Sequence, residues 1–228
     1  MQVSAGRFIC FVVVLGAVAL LSDLAYAEPH SNSSSFPKPE VDQSVTNSKG
    51  QEVAVLSGGC FWGIQAIYQH MRGVVSATSG YSGGNAETAH YELVSNGNTG
   101  HAESVRVVYD PRQITYGQIL MVFFSVAHNP TEMDKQGPDW GVQYRSAVFY
   151  SNEDQKRIAT AYIAQLEKAK VYPQKIVTQV VPLSAFYPAE GYHQDYVRHH
   201  PNNPYIVIND LPKLASFRKQ FPELYREN

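Results

Sequence analysis

From Glu52 to Val181, stretches whose apolar residues recur at every second position alternate with stretches whose apolar residues recur every three or four. A chain patterned this way interleaves strands with helices, because each period lines up one buried face only in its own kind of element. Glu52 to Ser57 is a short apolar strand ending in Gly58-Gly59, and Phe61 to His70 is a helix with Ile64, Ile67, Tyr68 and Met71 along one stripe. Val74 to Tyr81 is a strand running into a glycine-rich loop. Glu103 to Tyr109 is a strand in which Val105, Val107 and Tyr109 alternate with Ser104, Arg106 and Val108. Thr115 opens a helix to Ala127, and Ser146 to Tyr150 is a further strand. Asn152 caps a helix to about Lys170, with Glu153 and Asp154 in the first turn, where the helix dipole favours them. Lys175 to Val181 is the last clear strand. The expected fold is α+β, a two-layer α/β sandwich with a mixed central sheet and a ferredoxin-like core, followed by an irregular C-terminal segment of short helices and loops.

The N-terminal region does not share this pattern. Arg7 precedes an unbroken apolar run of 14 residues, Phe8 to Leu21, and Ala25-Tyr26-Ala27 supplies the small-x-small pattern of a cleavage site. The run falls short of the roughly 20 apolar residues of a spanning helix, so residues 1–27 are expected to be a signal peptide, cleaved near Ala27 to leave no stable membrane span. The protein is then exported, to a periplasm or to an extracellular or secretory compartment. Residues 28–50 hold six Ser and three Pro, and are expected to be a disordered linker before a single domain over 51–228. A formal net charge of -2 removes any electrostatic argument for a nucleic-acid partner. Nothing in the sequence calls for a second subunit, and a monomer is expected.

Of two cysteines, Cys10 leaves with the signal peptide and Cys60 remains. An odd thiol in an exported chain is buried, paired between chains, or chemically employed. Cys60 stands where a glycine turn opens a helix, among unpaired backbone donors at the positive end of the dipole, and its pKa is expected to fall below the free value of about 8.5. Phe61 and Trp62, which follow it, either pack into the core or wall an apolar pocket beside the sulfur. His193 and His199-His200 lie near one another in sequence, but with one cysteine and no ligand spacing no metal site is expected. Gly80 to Gly84 lacks the Lys-Ser/Thr of a phosphate loop.

Five ordered blocks across residues 52 to about 210 resemble the A-type peptide methionine sulfoxide reductases. They are Gly59-Cys60-Phe61-Trp62-Gly63, Gly80-Tyr81-Ser82-Gly83-Gly84, Thr99-Gly100-His101-Ala102-Glu103, the stretch from Gln136 to Ser146, and Tyr192-His193-Gln194-Asp195-Tyr196. The resemblance implies an oxidative-damage repair enzyme that reduces the S epimer of methionine sulfoxide, free or in proteins, to methionine. It implies Cys60 as the nucleophile on sulfur, Glu103 as the acid, Tyr91 and Tyr144 as donors to the sulfoxide oxygen, Phe61 and Trp62 as the seat of the methyl, and Asp139 as acceptor of a substrate backbone N–H. His193 and Tyr196 fall in a family block without an assigned role.

An exposed glutamate is ionised at neutral pH and cannot be an acid. Glu103 is therefore expected to be raised by burial beside Trp62 and the tyrosines and by the Cys60 thiolate. The product on the enzyme is a Cys60 sulfenic acid, the reversible first rung of cysteine oxidation. Many relatives resolve it with C-terminal cysteines, yet residues 61–228 contain none. No bound cofactor is implied, and regeneration falls to an external thiol, either a thioredoxin-like or glutaredoxin-like protein or a small dithiol. Two other readings stay open at this point. One is a cysteine-dependent hydrolase or acyltransferase with His101 or His193 as base. The other is an exported peptide-binding module with an inert Cys60.

Overall fold

The computed structural model describes residues 36–43 and 50–227. The expected signal peptide lies outside the described residues. The central sheet has six strands: β1 (Glu52–Ser57), β2 (Val74–Ser82), β3 (Ala102–Tyr109), β6 (Ala147–Tyr150), β7 (Gln179–Pro182) and β8 (Phe186–Pro188), in the order β7-β6-β1-β3-β2-β8. All neighbours are antiparallel except β6 and β7, so the sheet is mixed as expected. A two-stranded hairpin of β4 (Lys135–Gln136) and β5 (Asp139–Trp140) stands apart.

Alternation decides which face each strand residue buries. Ala54, Leu56, Val105, Val107, Tyr109 and Val148 join the main core, which they share with α1 (Phe61–Gln69) through Ile64, Ile67 and Tyr68. The intervening Val55, Ala102, Ala147 and Phe149 form a smaller cluster on the other face, with Val181 and Phe186 against it. The helix α4 (Glu153–Lys168), capped by Asn152 as its sequence requires, buries Ile158, Ala159, Tyr162 and Leu166 and joins β6 to the parallel β7. Among the described residues, no helix is long and apolar enough to cross a membrane.

Three segments differ from expectation. Thr115 and Gln118 form a reciprocal capping box, but α3 (Tyr116–Val122) gives way at Phe123–Ala127 to wider, π-type turns. In place of a strand from Lys175, β7 starts at Gln179, because Ile176 turns into the core and the Val177 N–H donates to Pro130 O at 2.8 Å. Residues 36–43, placed by composition in a disordered linker, are docked on the domain. Tyr162 Oη donates to Pro37 O at 2.6 Å, and Asp42 Oδ1 accepts the Gly117 N–H at 2.8 Å in the first turn of α3. Serine and proline content carried no signal for this, because Phe36 and Val41 find their apolar partners far away in sequence.

The C-terminal segment makes no sheet of its own, yet β8 extends the central sheet along β2. Gln194 pins the following turn, its amide accepting from Ser79 N and Gln65 Nε2 and donating to Ser79 O and Ala189 O. The short helix α5 (Tyr196–His199) and α6 (Leu211–Gln220) then pack along α1, which sets the last 30 or so residues against the helix that Cys60 opens.

Candidate active site

Cys60 is the N-cap of α1. The turn that delivers it needs glycine at 59, where φ is +96° and a Cβ would lie 2.6 Å from the Gln136 side chain. No side chain caps the helix from within its own first turn. The cap comes from β3, where Glu103 Oε2 accepts the Phe61 N–H at 3.1 Å. This bond fixes the carboxyl beside the residue that follows the thiol, and Glu103 is only 3 % exposed. Burial, with Asp139 adding in the same sense, raises Glu103 from 4.5 to about 8 in spite of that hydrogen bond. The expected direction is met, and the dominant cause is desolvation.

Cys60 itself does not follow expectation. The Trp62 backbone N–H does favour the thiolate, but burial and the carboxyls of Glu103, Asp210 and Asp139 outweigh it, and the pKa is pushed well above 9.0. One backbone donor and a fractional helix charge cannot offset the loss of water around an anion that faces three acids. The resting group is a thiol, 8 % exposed.

The remaining predicted residues come from separate elements. Tyr91 opens α2 (Tyr91–Val94) with its N–H on Glu190 Oε1 at 3.0 Å, and Tyr144 ends the short turn Val142–Tyr144. Arg145 ties that turn to the Glu103 strand by donating to Gly100 O and His101 O at 2.9 and 3.1 Å. Both phenols are raised, by burial first and next by Glu103, and both respond to Cys60, so the four groups share one electrostatic environment. Phe61 is buried against Tyr81 and His193, whereas Trp62 is half-buried and presents the more open aromatic face. Asp139 in β5 accepts from Tyr205 Oη.

Several residues that the sequence left without a role are here placed. His193 Nδ1 accepts from Trp62 Nε1 at 3.3 Å, and Tyr196 stacks on the indole with centroids 3.8 Å apart and planes at 8°. Tyr205 closes the third side, edge-on to Trp62 at 5.8 Å. Tyr205, Asp210 and Lys213 escaped sequence reading, since they fall beyond the last recognisable block and nothing in their spacing points to Cys60. Neither candidate base is available to the thiol. His101 is held in the glycine loop by the Gly84 N–H at 3.2 Å and Asn85 O at 2.9 Å, and His193 spends its acceptor nitrogen Nδ1 on Trp62, which leaves the ring proton on Nε2, a buried atom without a hydrogen-bond partner. A sheltered thiol that meets a neutral carboxyl, with the acceptor nitrogen of His193 already occupied, is equipped for thiol-dependent redox chemistry rather than acyl transfer.

Comparison with known proteins gives the same class a family. The profile described as Peptide methionine sulfoxide reductase matches residues 52–225. The chain is 57% identical over 178 residues to Peptide methionine sulfoxide reductase MsrA 2 of Mesorhizobium japonicum, covering 78% of this chain and 91% of that protein. It is 50% identical over 190 residues to the protein of the same name from Synechocystis, covering 82% and 89%. Among solved structures, it resembles methionine sulfoxide reductase A of Corynebacterium diphtheriae with a TM-score of 0.59 and 31% identity, over 74% of this chain and 85% of that one. It resembles reduced Mxr1 from Saccharomyces cerevisiae with a TM-score of 0.61 and 30% identity, over 72% and 92%. The chain belongs to the A-type peptide methionine sulfoxide reductases.

Proposed function

We propose that the protein reduces the S epimer of methionine sulfoxide, free or within oxidised proteins, at Cys60. The observation that carries this reading is Glu103, buried and predominantly protonated at neutral pH, hydrogen-bonded to the backbone N–H next to the thiol. Sulfoxide oxygen is a poor leaving group until it is protonated, and a neutral acid that faces the nucleophile supplies what the reaction lacks. The Cys60 sulfur bonds to the sulfoxide sulfur as Glu103 delivers its proton to the oxygen, and the thiol proton restores the carboxyl. In the collapse the hydroxyl passes to the Cys60 sulfur: the methionine S–O bond and the new S–S bond break as the Cys60 S–O bond forms, so that methionine leaves and Cys60–S–OH remains. Tyr91 and Tyr144 hold the oxygen as its charge grows. Trp62, kept in place by His193 and Tyr196 and backed by Phe61, seats the methyl group. Asp139, with one oxygen taken by Tyr205, offers the other to a substrate backbone N–H.

The sulfenic acid is returned to the thiol by an external thiol donor, a thioredoxin-like or glutaredoxin-like protein or a small dithiol. Export follows from the N-terminal apolar segment. The test is a turnover assay with each sulfoxide epimer and a panel of thiols, together with a reaction lacking thiol. One methionine per chain from the S epimer, with a gain of one oxygen on the protein, is expected. Equal use of both epimers, or no product without thiol, would remove this reading, and Cys60→Ser should abolish all of it.

A further inference from the structure

We infer that Lys213, seated on Asp210, is the cation that receives the anionic sulfur of the thiol donor at Cys60. The inference rests on the reductase reading of this site and concerns its second half, in which the thiol is regenerated. Besides the aromatic wall, Cys60 lines a cavity of about 60 Å³ together with Asp139, Tyr205, Asn209 and Lys213. Phe61, Trp62, Tyr91 and Tyr144 take no part in it. The sulfur thus has a polar approach beside the methyl seat, with Tyr205 shared between the two.

The segment Tyr205–Lys213 that builds this approach carries no cysteine, and neither does any other part of residues 61–228. It carries instead an uncommon carboxyl. Asp210 is 2 % exposed, and among the described residues it pairs with Lys213, at 3.5 Å from Oδ1, beyond a good hydrogen bond. Both its oxygens otherwise lack partners. It packs so closely on the first turn of α1 that a Cβ at Gly63 would lie 2.2 Å from Oδ1, which explains glycine at that position. A buried carboxyl left without hydrogen bonds is expensive to keep, and holding a cation in place is a reason to keep it. Burial raises Asp210 to about 6 while Lys213 pulls the other way, so the carboxyl is ionised at neutral pH. The Lys213 side chain is 22% exposed and lines the cavity with Cys60.

Regeneration brings negative charge to a place that opposes it. A first donor thiolate attacks the sulfur of Cys60–S–OH, an S–S bond forms, and the S–O bond breaks with oxygen leaving as water on uptake of a proton. A second thiolate attacks the donor sulfur of that mixed disulfide, and Cys60 leaves as thiolate and takes up a proton. Two thiols are oxidised to a disulfide while Cys60 gains two electrons. Each attack carries an anion toward Asp139 and Asp210, carboxyls that already oppose charge on Cys60. Lys213 lowers both Asp139 and Asp210 and lines the same cavity as Cys60, so it stands among the carboxyls that an incoming thiolate meets.

The test uses the full chain with methionine sulfoxide and dithiothreitol. The burst of methionine without thiol gives the first half-reaction, and loss of the sulfenic acid on adding dithiothreitol gives the second. Lys213→Met should lower the ratio of recycling to burst rate about tenfold at low salt, the size of effect that one steering charge exerts on association. Lys213→Arg should keep the ratio within about threefold, and the deficit of the Met variant should shrink in roughly 0.5 M salt, where charges are screened within a few ångströms. An unchanged ratio in Lys213→Met, or a salt-independent deficit shared by the Arg variant, would overturn the inference. Absence of any burst in the unaltered protein would instead overturn the reductase reading itself.

Discussion

Replacing Glu103 by glutamine should remove the acid and make the fold more stable at neutral pH. The carboxyl rises from 4.5 to about 8 on folding, with burial as the main cause, so between those values the folded protein holds more protons than the unfolded chain. Stability then falls as pH rises. The contribution is whole below about pH 4.5, declines by roughly 1.4 kcal/mol per pH unit, and levels off above about pH 8. At pH 7 the deficit is about 3 kcal/mol, and on the alkaline plateau about 5 kcal/mol. Glutamine has the same outline, can still accept the Phe61 N–H, and does not titrate. Urea unfolding of both proteins from pH 4.5 to 9, followed by fluorescence of Trp62 and Trp140, isolates the effect because groups remote from Glu103 cancel in the difference. The variant should match the native protein near pH 4.5 and exceed it progressively as pH rises, while methionine sulfoxide reduction falls by orders of magnitude. A stability difference that stays constant across that window would show that Glu103 is not held protonated, and the acid assignment would fall with it.

Reduction by the native protein should decline about tenfold per pH unit once Glu103 ionises above about pH 8, as seen in single-turnover methionine release, whereas a profile flat to pH 10 would exclude it as proton donor. Because Cys60 rests as a buried thiol, iodoacetamide should label it at pH 7 at least about tenfold more slowly than a free cysteine, and fast labelling would show that the thiolate prevails after all. Asp42→Ala should lower stability by about 1–2 kcal/mol through loss of its bond to the first turn of α3, measured by thermal or urea unfolding, and no change would mean that residues 36–43 do not support the domain.

The core and the nucleophile were legible in the residues because their signals are local. The stripe Ile64, Ile67, Tyr68, Met71 and the alternation of Val105, Val107 and Tyr109 each mark one buried face, and all seven residues are buried. Asn152 and Thr115 cap helices through bonds three residues away, within reach of any local reading. The π-type turns at Phe123–Ala127 and the docking of residues 36–43 were not legible, since each depends on partners distant in the chain. For the site, ordered blocks pointed to Cys60, Trp62 and Glu103, while Tyr205, Asp210 and Lys213 carried no pattern of their own.

What the sequence determined by itself was a mixed sheet with helices and a thiol at a helix start, because periodicity and capping are settled among near neighbours. What only the tertiary structure decided was the charge state of the site. Whether Cys60 is a thiolate or a thiol depends on how much water its surroundings exclude and on which carboxyls arrive from β3, the β4–β5 hairpin and the start of α6. Desolvation and Coulomb interaction depend on distance in space, and residues 43, 79 and 150 positions apart in the chain share that space only once the sheet and the C-terminal helices have closed around it.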